Sequence, residues 1–135
     1  MVAVCCSLLA FRIYEKNLIK TVLARDRIWV VYSKISQIPE AEIARVVGPV
    51  PHEWRTLSQP EYSNLLSFFD PSGTNKLLAA DLWGRPYRLA VRKIDDETQF
   101  SLVSVGPDGL EGTPDDYSLK AGNYSGPTGR ERAFK

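Results

Sequence analysis

The chain has 135 residues, 44% of them hydrophobic and 10% aromatic, with 17 Lys and Arg against 16 Asp and Glu. That length holds one domain, or one domain plus tails, with enough apolar residues for a modest core. A formal net charge of +1 carries no polyanion-binding signature, so nucleic acid is not an expected partner.

The chain opens on an apolar run, Val2 to Phe11, closed by Arg12. A bilayer-spanning helix needs about 20 apolar residues, and this run is roughly half that. It suits either the lower end of a membrane helix or a buried first turn. Cys5 and Cys6 within it are adjacent. Disulfide geometry disfavours neighbouring cysteines, and the sole histidine, His52, is too distant for zinc-ligand spacing, so both read as small apolar residues.

From Phe11 to about Gln37 there is no proline or glycine. Apolar Ile13, Leu18, Ile19, Val22, Leu23, Trp29, Val30 and Ile35 recur mostly at steps of three or four. This spacing predicts one long amphipathic helix over 1–37. Arg12, Lys16, Lys20, Arg25 and Arg27 fill its gaps. They form a solvated face or, more sharply, bridges to acids such as Asp26 or Glu15 on a neighbouring subunit. Pro39 starts a short helix that Gly48 and Pro49 stop, and "GPVPHEW" reads as loop. Ser58 stands three residues before Glu61 with Pro60 between them, a capping box that predicts a helix from Gln59 to Phe69.

In the second half, Tyr87, Leu89 and Val91 alternate with Arg88, Ala90 and Arg92. Phe100, Leu102 and Val105 mark another extended run, and "DDET" between the two predicts a hairpin. The tail from 119 to 135, ending in "GRERAFK", is polar, glycine-rich and basic, and is expected to be loose. Helices followed by antiparallel strands make an α+β fold, with the long helix across one face of the sheet.

Chemistry concentrates in "SVGPDGLEGTPDDYS", Ser104 to Ser118. Carboxylates crowded into one loop repel each other unless water or a cation screens them. One reading is a solvated turn in which Asp and Gly serve the backbone. The other is a calcium site, with carboxylate oxygens from Asp108, Asp115 and Asp116 and main-chain oxygens near Val105, Pro107 and Leu110. The EF-hand pattern is absent. Elsewhere, His52 beside Glu53 has no nucleophile in a recognisable setting, Asp95, Asp96 and Glu97 fall at a hairpin tip, and no phosphate-binding fingerprint occurs. No enzymatic activity is expected.

"DLWGRPYRL" followed by "FSLVSVGPDGLEGTPDDYS" resembles the C-terminal half of the major pseudopilins of type II secretion systems, over Asp81 to Ser118. The resemblance implies a pilin-like fold, a long N-terminal helix packed on a small antiparallel sheet. It implies a structural turn at Asp81, Trp83, Gly84, Pro86 and Tyr87, and calcium held by Asp108, Asp115, Asp116 and the carbonyls of Val105, Pro107 and Leu110. It also implies a filament subunit of the bacterial inner membrane with a periplasmic head (38–118). Its partners would be other pseudopilin subunits or a secretion-machinery protein, with membrane contact through the N-terminal helix. The alternative is a calcium-stabilised protein-binding module of the cell envelope that joins no filament. Leu82 stands where that family has proline. The family's basic leader, cleaved glycine and methylatable phenylalanine have no counterpart here, and Glu15–Ile35 corresponds to the lower half of its helix.

Overall fold

The computed structural model describes residues 2–127 and, in the N-terminal part of the first helix, only the side chains of Leu9, Arg12 and those from Leu18 onward. The expectations for Cys5, Cys6, Ile13, Glu15 and Lys16 concern side chains outside that set, and "GRERAFK" lies outside the described residues. The fold is α+β, as its sequence pattern predicts. Helix α1 (Val2–Ser36) is followed by α2 (Glu40–Val47), strand β1 (Arg55–Thr56), α3 (Gln59–Leu66), α4 (Lys76–Ala79) and strands β2 (Arg88–Ile94), β3 (Glu97–Ser104), β4 (Tyr117–Lys120) and β5 (Asn123–Ser125). The strands form one antiparallel sheet in the order β1-β2-β3-β4-β5.

With 35 residues free of proline and glycine, α1 extends for about 52 Å at the usual rise. Its docked face is Thr21, Ala24, Ile28, Val31 and Ile35, all buried at steps of three and four. They meet β3 and β4, where Phe100, Leu102, Tyr117 and Leu119 are buried, in a core that also holds Leu89 and Val91 of β2. Most apolar residues that suggest the helix in the sequence are not on this face. Ile19, Val22, Leu23, Trp29 and Val30 remain exposed, because the helix carries apolar residues on both sides. Arg27 also departs from the expected solvated face. Its Nη2 donates to the Lys76 carbonyl at 3.2 Å, which ties α1 to α4.

The capping box at α3 forms as its sequence requires. The Ser58 hydroxyl accepts from the Glu61 amide at 3.3 Å, and the Glu61 carboxylate accepts from the Ser58 amide at 3.1 Å. Glu61 also takes a 2.8 Å ion pair from Arg55. The helix ends at Leu66, short of Phe69. The α2 and α3 helices pack together through Ile43, Val47, Tyr62, Leu65 and Leu66. Tyr62 donates its hydroxyl to the Leu78 carbonyl at 2.7 Å, and burial pushes its phenol above the usual range.

The β2–β3 hairpin turns at Asp95 and Asp96, with φ of 49° and 64°. Positive φ at both central residues is the tight turn that matches strand twist. The same device corrects the expectation of a loose tail from residue 119. Ala121 and Gly122, with φ of 49° and 84°, turn β4 into β5, and Leu119 is fully buried. The sheet therefore continues to Ser125. Strand β1 and the single turn of α4 are further elements that the sequence pattern leaves unassigned. Among the described residues, no helix is long and apolar enough to cross a membrane.

Candidate functional site

Asp81 follows α4 and is buried at 3% exposure. Its amide donates to the Arg85 carbonyl at 2.8 Å, its carbonyl accepts from the Gly84 amide at 3.1 Å, and Ala80 bridges Pro86. Both carboxylate oxygens are engaged. One oxygen accepts from the amides of Trp83 (3.0 Å) and Arg85 (2.9 Å), and the other from the Ser104 hydroxyl at 2.7 Å. Ser104 ends β3, where the acidic loop departs. Asp81 thus fastens the turn to the root of that loop. Gly84 supplies the positive φ of 78° that the turn needs. Trp83 stacks on Tyr117 (centroids 5.7 Å apart, 29° between planes), and Tyr87 is buried. All the residues expected in the structural turn are brought together. Pro86 leads into β2, which lies between β1 and β3 in the sheet.

The acidic loop spans 105–116, between β3 and β4. Its ends close on each other at Gly106, where φ is 70° and a Cβ would collide with the Asp115 carbonyl. Within it, Asp108 accepts from the Leu110 amide at 3.0 Å. Asp116 accepts from the Gly112 amide at 2.7 Å and from the Thr113 hydroxyl at 3.2 Å. That hydroxyl also reaches the Leu110 carbonyl at 3.1 Å.

Two arginines that the sequence reading leaves unassigned supply positive charge here. Arg85 donates to the Gly106 carbonyl at 2.6 Å. Its guanidinium lies against Gly109, where an added Cβ would stand 2.8 Å from Cζ and Nε. Arg88 pairs with Glu111. The signal available in the sequence was their position three residues apart beside the Pro86–Tyr87 pair, ahead of an acid-rich segment.

The atoms expected as ligands in this loop are oxygens, the chemistry a hard cation such as calcium requires, and the Arg85 guanidinium stands beside them. Of the expected ligands, Asp108 and Asp116 are engaged with loop amides and a hydroxyl. Among the described residues, no group of three or more His, Cys, Asp or Glu side chains is placed to hold a metal ion. His52 stands apart, its Nδ1 donating to the Lys93 carbonyl at 3.1 Å.

No family model matches the chain, no curated protein matches it, and no solved structure matches its fold.

Proposed function

We propose that the chain is a pilin-like structural subunit of a type II secretion pseudopilus in the cell envelope. The sheet and short helices form its periplasmic head, and α1 is its assembly element. One observation carries the reading. At 100° per residue, the exposed stripe of Ile19, Val22, Leu23 and Val30 lies nearly opposite the docked stripe of Thr21, Ala24, Ile28 and Val31. A helix with one apolar face on its own sheet and a second in solvent is suited to packing against helices of other subunits. Leu23→Glu combined with Val30→Glu is expected to abolish concentration-dependent self-association in sedimentation, with little change in the melting temperature of the head. A wild-type chain that stays monomeric at every accessible concentration would overturn the proposal.

The second part of the reading is that calcium stabilises the head at loop 105–116, with Asp108, Asp115, Asp116 and the carbonyls of Val105, Pro107 and Leu110 as ligands. Support comes from the all-oxygen donor set and the closed glycine-rich backbone. Binding would require Asp108 and Asp116 to exchange loop amides for the ion, so folding and binding would be linked. Calcium at a hundred times its Kd is expected to stabilise the head by about 2.7 kcal/mol, seen as a lower melting temperature after chelation. Asp115→Ala should remove that difference. Superimposable melting curves with and without chelator would reject calcium while leaving the filament reading intact.

A further inference from the structure

The face of the sheet turned away from α1 carries a feature used by neither the turn nor the acidic loop. Register places Arg92 opposite Gln99, and Ala90, Ser101 and Lys120 in one row across β2, β3 and β4. Trp54, just before β1, holds two cations on its ring. The Arg92 guanidinium lies 4.4 Å and the Lys120 ammonium 5.5 Å from its centroid. Trp54, Arg88, Ala90, Ser101, Glu111 and Lys120 line a depression of about 220 Å³.

We infer that this face is a docking surface for an extended acidic polypeptide segment of a partner protein. Cation–π contact holds a cation in place without neutralising it. Among the described residues neither Arg92 nor Lys120 has a carboxylate partner. Two like charges on one indole repel each other, and the repulsion is relieved when anionic groups join them. Arg92 is already oriented: its Nε donates to the Gln99 side chain at 2.7 Å, and the terminal nitrogens of the fork suit a carboxylate.

Spacing favours a peptide. The Arg92 guanidinium and the Lys120 ammonium, both held over one ring, lie within about 10 Å of each other, and acids two or three residues apart on an extended chain span about 7–10 Å. The chain's net charge of +1 disfavours a continuous polyanion such as nucleic acid.

The test is fluorescence anisotropy of a labelled hexaglutamate peptide with the full chain at low salt. Saturable binding is expected. It should weaken about tenfold in the Arg92→Gln/Lys120→Gln double variant, and also on raising salt to about 0.15 M. Arg45→Gln, which removes a basic residue away from this face, should leave it unchanged, and melting curves of all variants check that the fold is retained. The inference fails if hexaglutamate does not bind, or if Arg45→Gln weakens binding as much as the double variant does. It fails equally if a short single-stranded oligonucleotide binds more tightly than the peptide through Arg92 and Lys120. A filament test that fails leaves this surface untouched, since none of its residues is on α1.

Discussion

Asp81→Ala is expected to destabilise the head by about 3 kcal/mol, because it strips buried donors of their charged acceptor. The carboxylate receives the amides of Trp83 and Arg85 and the hydroxyl of Ser104. All of these stay close to where Asp81 holds them while the rest of the fold persists, and alanine offers none of them an oxygen. The loss should appear as a fall in melting temperature of roughly 10 °C. The effect should also be directional along the chain. The turn and the acidic loop lose their common anchor, so amide exchange should accelerate at Trp83, Arg85 and Gly106 before it does in β2. Ser104→Ala, which removes one donor along with its bond, should cost less. If Asp81→Ala melts with the wild type, the carboxylate does not bind these groups as described.

The second large effect distinguishes the two faces of α1. Ile28 is fully buried against the sheet, while Val30, two residues on, is 46% exposed. Ile28→Ala leaves a cavity between helix and sheet and should cost about 2–4 kcal/mol. Val30→Ala deletes surface apolar atoms and should fall within about 0.5 kcal/mol of wild type in the isolated chain. Denaturant midpoints with unchanged slopes would measure both. Equal costs at the two positions would mean that the helix docks in a different rotation, and the exposed stripe on which the filament proposal rests would no longer exist as a separate face.

How legible these features are in the sequence varies with their physical origin. The long helix is plain because its absence of proline and glycine is a local property. Its docked face is not. Apolar Ile19, Val22, Leu23 and Val30 advertise helical periodicity as strongly as Ile28 and Val31 do, and only packing selects between them. The hairpin at Asp95–Asp96 is legible from the flanking alternation. The one at Ala121–Gly122 is hidden because β4 and β5 are short and one of its turn residues is an alanine. In the acidic loop the sequence displays the carboxylates. It does not display Arg85, which lies about twenty residues earlier and reaches Gly106 only because the Asp81 turn aims it there.

The sequence by itself therefore determined the elements whose causes are near neighbours: the capped start of α3, the uninterrupted α1 and the β2–β3 hairpin. Capping, turn chemistry and periodicity act over a few residues, so they can be read in one dimension. The tertiary structure alone decided which stripe of α1 is buried, that Asp81 binds Ser104, that Arg85 and Arg88 serve the acidic loop, and that Trp54 gathers Arg92 and Lys120. Those outcomes depend on strand order and register, which bring together groups far apart in the chain, and no local preference encodes such distances.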